Sequence, residues 1–163
     1  MHLYKSFYDS EIGLMEITAT DKGIRTVEFI QDKTPNGFIS NFHINDCIQQ
    51  LDEYFKGQRE VFSVKLDWHG TDFQKRVWNY LLTIPFGKTV AYMDIALALA
   101  DEKSVRAVGI ANGKNNIAII VPCHRVIGSD GDLTGYAYGI WRKDWLLKHE
   151  KSYAGVEHQM ELF

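Results

Sequence analysis

The chain has no apolar run of transmembrane length, no CxxC pair, no internal repeat and no low-complexity tract. The first absence excludes a helical membrane protein, and the second a metal site of zinc-ribbon spacing. The other two exclude a repeat array and an extended disordered segment. Cysteine is scarce. Cys47 and Cys123 lie far apart in dissimilar surroundings. The N-terminal stretch MHLYKSFYDSE carries charges where a signal peptide needs its apolar core. The expectation is a soluble cytoplasmic protein with free thiols and no membrane association. Strong charge is also missing. A net charge of −3 argues against wholesale coating of nucleic acid.

What is present is enough for a real core, with 45% hydrophobic and 13% aromatic residues in 163. The charge is unevenly spread. Residues 1–69 hold 7 Lys+Arg against 11 Asp+Glu, whereas residues 70–150 hold 10 against 8. An anionic partner is therefore expected to meet the second part.

In the first third, LMEITAT (14–20) and IRTVEFI (24–30) read as strands joined by the turn TDKG, and DKTPNG (32–37) as a loop. DCIQQLDEYFKG (46–57) places Cys47, Ile48, Leu51, Tyr54 and Phe55 on one helical face, with Gly57 as its C-cap. Cys47 is thus read as a packing residue. VFSVKLDW (61–68) alternates and is expected to rejoin the sheet. After the break HGT, Thr71 and Gln74 form a capping-box signature. The helix they head turns Phe73, Val77, Trp78, Leu81 and Leu82 inward and ends at Pro85 and Gly87. The division expected is an α/β unit over 1–69, a mostly helical one over 70–150, and a tail over 151–163.

Residues 89–116 read as two short helices, near Tyr92–Ala100 and Ser104–Asn112, with Asp101–Lys103 as the turn, Ser104 as N-cap and Gly113 as C′ residue. This is a helix-turn-helix. Ala107, Gly109 and Ala111 make the second helix slim, and Arg106 is its only charge. It lacks the long polar side chains of a major-groove reader. It suits a narrow groove approached without sequence reading, or small residues that let helices pack closely.

The stretch AIIVPCHRVIGSDG (118–131) puts a thiol between a proline and a histidine. IAIIV before it reads as a buried strand or extended segment, stiffened by Pro122. A nucleophilic cysteine needs its thiolate, hence a nearby positive charge, proton acceptor or helix N-terminus. His124 and Arg125 follow Cys123 directly, although neighbours on an extended chain point apart. Packing, metal ligation and nucleophilic chemistry all remain open on these residues alone.

Taken together, the helix-turn-helix, RAVGIANGKN, VPCHRV and GYAYG…WLLKHE, in this order and spacing over residues 70–150, resemble the O6-alkylguanine-DNA alkyltransferase family. The resemblance implies an α+β fold: a small ribonuclease H-like sheet domain, then a mostly helical domain holding the helix-turn-helix and the acceptor cysteine. It implies repair of O6-alkylguanine, and of O4-alkylthymine, by one irreversible transfer to Cys123. His124 would draw off the thiol proton through a water, oriented by Glu150, in a Cys–His–acid arrangement. Arg106 would enter the stack of double-stranded DNA from the minor groove as the base flips out. Tyr92 would help turn the nucleotide and donate to the base. Asn115 would brace the turn, the backbone at Cys123 and Val126 would read the guanine edge, and Tyr136, Ala137 and Tyr138 would cover it. No cofactor is implied. The zinc site of some members has only Cys47, His2 and His43 to match it here, at loose spacing, so no metal is expected. The protein is expected to act as a monomer.

Two departures stand out. Asn115-Asn116 replaces the family's Asn-Pro, and Tyr138 replaces the second-last glycine of the usual GYAGG. The terminal QMELF, with Gln159, Met160, Leu162 and Phe163, resembles a bacterial sliding-clamp-binding peptide. Two rival readings are a damage sensor that binds without transfer, against which Cys123 itself argues, and a Cys–His hydrolase, which would need an oxyanion hole and would turn over.

Overall fold

A computed structural model describes residues 2–33 and 37–160, with side chains to residue 154. Its α+β architecture falls into two compact units, one comprising residues up to His69 with Asn116–Ala118, the other the remainder.

In the first unit, β1 (Tyr4–Ser10), β2 (Gly13–Thr20) and β3 (Gly23–Ile30) form an antiparallel sheet in the order 1-2-3. The strand β1 is not anticipated by the sequence reading, because Tyr4–Ser10 is polar and lacks strict alternation. Asp21 and Lys22 turn the β2–β3 hairpin, as expected. One face of the sheet buries Met15, Ile17, Ile24 and Val27 against α1 (Phe42–Phe55), which contributes Ile44, Cys47, Leu51 and Tyr54. Each such side chain stabilises the fold by about 1.5–3 kcal/mol. The helix begins four residues before the expected start, because Asn41 caps it by accepting from the Ile44 N–H at 3.1 Å. Gly57 closes it at φ 75°, a left-handed conformation that glycine adopts without strain. Residues 61–68 keep their alternation but join the sheet only through a bridge from Leu66 to Ile24. A second bridge, Ile117 to Val27, brings Asn116–Ala118 to the same strand.

The second unit opens with α2 (Asp72–Leu81), whose capping box is present in full. Thr71 Oγ1 accepts from the Gln74 N–H at 3.1 Å, and Gln74 Oε1 accepts from the Thr71 N–H at 2.9 Å. Val77, Trp78 and Leu81 are buried, but Leu82 lies past the last turn and is exposed. The strand β4 (Val90–Ala91) leads into α3 (Tyr92–Leu99), and a 3-10 turn over Glu102–Ser104 leads to α4 (Val105–Gly113). The helix-turn-helix is therefore present. Its capping differs from expectation. Asp101, one residue before the 3-10 turn, accepts from the Lys103 N–H at 2.9 Å, and Ser104 makes no capping bond. Gly113 ends α4 without a left-handed φ.

The apolar run IAIIV is buried, but not as a strand. Ile117 makes its bridge, and residues 118–120 then turn. Ile119 sits at φ 70°, a conformation rare for a β-branched residue. The strand β5 (Val126–Ile127) pairs in parallel with β4. Finally α5 (Ile140–Met160) runs ten residues past the expected end of the helical unit, so 151–160 is helix rather than free tail. No described helix is long and apolar enough to cross a membrane.

Candidate active site

Cys123 opens a 3-10 turn, Cys123–Arg125, directly after Pro122. The turn is held on both sides. Asn115 Nδ2 donates to the Val121 carbonyl at 2.8 Å, closing the strained loop around Ile119, and the Cys123 N–H donates to the same carbonyl at 2.8 Å. Asn112 Nδ2, from the last turn of α4, donates to the Cys123 carbonyl at 3.4 Å. Sequence neighbours that would point apart on an extended strand are brought around one turn.

Cys123 is 6% exposed and forms part of the wall of a cavity of about 250 Å³, with Tyr92, Gly109, Asn112, Gly113, Asn115 and residues 135–138. Burial pushes the thiol pKa up, against the hydrogen bond from Asn115 and the charge of Lys143. The thiol is therefore protonated at rest. The nearby positive charge expected from the sequence does not ionise it, because desolvation of a buried thiolate outweighs it.

A base is at hand. His124 is wholly buried, and its Nε2 meets Glu150 Oε2 at 2.7 Å. An ionised carboxylate only accepts, so Nε2 carries the hydrogen and Nδ1 keeps a lone pair. That Nδ1 is buried without a protein partner. Burial lowers the His124 pKa against the pull of Glu150, so the imidazole is neutral and its Nδ1 is open to accept a proton. Glu150 is shared: Arg125 Nε donates to its Oε1 at 2.7 Å and Arg125 Nη2 to its Oε2 at 3.1 Å. Burial opposes ionisation of Glu150, but His124 and Arg125 outweigh it and hold the carboxyl well below the usual carboxylate range. Arg125 Nη1 also donates to the Ile84 carbonyl at 2.7 Å. Gly87, at φ 79°, passes so close to α5 that a Cβ there would lie 2.9 Å from Ala154 Cβ.

Tyr92 starts α3 and its hydroxyl donates to the Thr134 carbonyl at 3.3 Å. Tyr136 and Tyr138 meet edge to face at 5.6 Å between centroids, and Ala137 lies between them in the wall. Thus Cys123, Tyr92, Asn115, Tyr136, Ala137 and Tyr138 share one cavity, and His124 and Glu150 are joined outside its wall. Val126 is buried in β5, outside the cavity wall. Arg106 is exposed in the first turn of α4, also away from the wall. On that helix Ala111 is buried and accepts at its carbonyl from Trp78 Nε1 at 2.9 Å, so close packing explains it. Packing does not explain Ala107, which is exposed with Arg106.

Several site residues were not singled out from the sequence. The role of Arg125 on Glu150 is one, and Asn112 is another. Lys143 is fully buried and donates to the carbonyls of Thr134 at 3.0 Å and Gly135 at 3.3 Å, pinning the loop that covers the cavity. Helical spacing offered a signal here: Lys143, Leu146 and Glu150 follow i, i+3, i+7, which sets two charges on the buried face of α5. Among the described residues, no three His, Cys, Asp or Glu side chains converge as metal ligands.

The model of the 6-O-methylguanine DNA methyltransferase DNA binding domain matches residues 72–152, and that of the ribonuclease-like domain matches residues 3–68. A methylated-DNA–protein-cysteine methyltransferase of Methanosarcina barkeri is 44% identical over 155 residues, spanning 92% of this chain and 98% of the relative. One from Mycobacterium bovis is 58% identical over 111 residues, spanning 68% and 67%. The crystal structure of Mycobacterium tuberculosis O6-methylguanine methyltransferase is similar at a TM-score of 0.84 with 42% identity, covering 93% of this chain and 94% of that one. The same organism's OGT in complex with DNA is similar at 0.82 with 43% identity, covering 94% of each.

Proposed function

The chain belongs to the 6-O-methylguanine DNA methyltransferase family and acts in DNA repair by alkyl transfer to a protein cysteine, and we propose that Cys123 is the acceptor. The observation that carries this is the position of Cys123 in the cavity wall, at the head of the same 3-10 turn as His124, whose Nδ1 is buried without a protein partner.

In this reading duplex DNA is approached from the minor groove by α4. Arg106 enters the stack, and the O6-alkylguanine turns out into the cavity, at a cost of a few kcal/mol. Tyr92 assists that rotation and donates to the base. His124 Nδ1 takes the thiol proton through a water. The sulfur then attacks the alkyl carbon, a C–S bond forms and the C–O6 bond breaks. Its electron pair passes into the purine, and the proton that left the sulfur is returned there, so the products are neutral guanine and a thioether. The thioether cannot be reversed, so each molecule acts once. Backbone groups at Cys123 and Val126 read the base edge, Asn115 braces the turn, and residues 136–138 close over the base. O4-alkylthymine is a second substrate.

The domains are assigned as 1–69 and 70–150, with 151–163 following, and the protein is assigned as a monomer acting in the cytoplasm. Clamp binding through Gln159, Met160, Leu162 and Phe163 belongs to the same reading, although those side chains lie outside the described residues. Deleting 159–163 should abolish binding to a bacterial sliding clamp, and an unchanged affinity would end that part.

Incubation with duplex DNA bearing O6-methylguanine, then intact-mass and peptide measurement, tests the whole. One added methyl on Cys123 is expected. Tight binding at unchanged mass would instead mark a sensor.

A further inference from the structure

The covering loop is tied to α5 at both ends, and the two ties differ. At its start the fully buried Lys143 donates to the carbonyls of Thr134 and Gly135. At its end Arg142 Nη1 donates to the Tyr138 carbonyl at 3.0 Å. The Arg142 guanidinium also lies over the Trp141 ring, 4.4 Å from its centroid. That indole closes against Gly139, where a Cβ would stand 3.1 Å from Cδ1 and 3.2 Å from Nε1. Trp141 is 57% exposed, so this second tie lies at the surface.

A planar guanidinium can stack on an aromatic face and donate from its edge at the same time. The stack therefore orients the donor before it meets the Tyr138 carbonyl. Gly135 at φ 54° and Gly139 at φ 96° flank residues 136–138 as left-handed joints. Between them, Tyr136 and Tyr138 stand in the cavity wall, edge to face. Moving Tyr138 outward to admit a bulky group carries its carbonyl away from Arg142. The Lys143 tie precedes both tyrosines and is untouched by that movement.

We propose that Arg142, stacked on Trp141, is a positioning residue that holds the Tyr138 ring in the cavity wall and so sets the largest alkyl group transferred. The proposal rests on the assignment of Cys123 as acceptor, and it concerns the adduct rather than the base that carries it. A methyl group is transferred with the clasp shut. A benzyl group needs the clasp open, and its transfer bears the cost of the lost bond.

The test takes the ratio of transfer rates to Cys123 from duplexes bearing O6-benzylguanine and O6-methylguanine. A change in DNA affinity on losing a cation acts on both duplexes and cancels. Arg142→Met keeps an unbranched side chain and removes the charge and the donors. The benzyl-to-methyl ratio should rise by roughly 3- to 10-fold, the range of one net hydrogen bond. Trp141→Leu should raise it in the same direction, and decides alone should the methionine protein not fold, judged by its thermal midpoint. In the Tyr138→Gly background either substitution should leave the ratio where it stands, because no ring remains to be held. A merely structural role would lower both rates together and leave the ratio fixed. An unchanged ratio in a folded variant, or an equal rise without the Tyr138 ring, overturns the proposal while leaving Cys123 as acceptor. No alkyl group on Cys123 from either duplex overturns both.

Discussion

His124 Nε2 and Glu150 Oε2 lie 2.7 Å apart, with both side chains shut away from water. The carboxylate sets the tautomer, and the tautomer leaves Nδ1 as the base. Glu150→Gln keeps the size and removes the charge, so the ring is no longer oriented and Arg125 becomes an uncompensated buried cation. Alkyl transfer should slow by roughly 10- to 100-fold, and denaturant unfolding should show a loss of about 3–5 kcal/mol. Because the folded pKa of Glu150 is depressed, its stabilisation is present above the unfolded value of 4.5 and lost as pH falls through the folded value. The stability gap between the two proteins should therefore narrow progressively below pH 4.5. A gap that is constant on acidification would contradict the ion pair's role.

The rate of transfer should be flat across neutral pH. His124 is neutral down to a pKa below its ordinary 6.5, and the Cys123 thiol is protonated up to a pKa above its ordinary 9.0. Proton transfer between the two is pH-independent in that window. Single-turnover rates should fall only on the acid side of pH 6.5. An inflection near 7 would mean a solvated histidine.

Replacing the acceptor separates binding from chemistry. Cys123→Ser should hold alkylated duplex with little change in affinity and gain no mass. A variant that still acquires a methyl elsewhere at the normal rate would remove Cys123 from the mechanism.

Arg106→Ala should leave stability within about 0.5 kcal/mol, as for an exposed side chain, and leave reaction with free O6-methylguanine base unchanged. Transfer from duplex should drop by about tenfold or more, since the cost of extrusion is no longer offset. Equal losses on free base and duplex would point to a general structural effect.

Tyr138 stands in the cavity wall against Tyr136, where the family pattern has glycine. Methyl adducts fit a space of about 250 Å³ more readily than benzyl ones. Tyr138→Gly should react faster with benzylguanine while methyl transfer is little altered. Identical benzyl rates would show that the ring does not obstruct.

Much of this was legible in advance where the determining contacts are local. The capping box at Thr71–Gln74, the hairpin at Asp21–Lys22 and the Gly57 stop each depend on residues a few positions apart. Cys123, His124 and Glu150 come through the resemblance, and the structure joins His124 to Glu150 at 2.7 Å. β1 escapes a reading of the sequence because an edge strand with a polar sequence is specified by its partner, here β2, rather than by its own alternation. The IAIIV segment reads as a strand or extended because burial and apolar composition look alike in strand and turn, and nothing local announces the turn at Ile119.

The sequence by itself determined the family, the α+β class and the order of the chemical groups, because motif spacing survives without coordinates. The tertiary structure alone decided that Arg125 shares Glu150 with His124, that Lys143 turns inward onto the covering loop, and that Asn112 ties the end of α4 to the Cys123 carbonyl. Each of these depends on where distant segments meet, and on what burial does to a charge or an amide once water is gone.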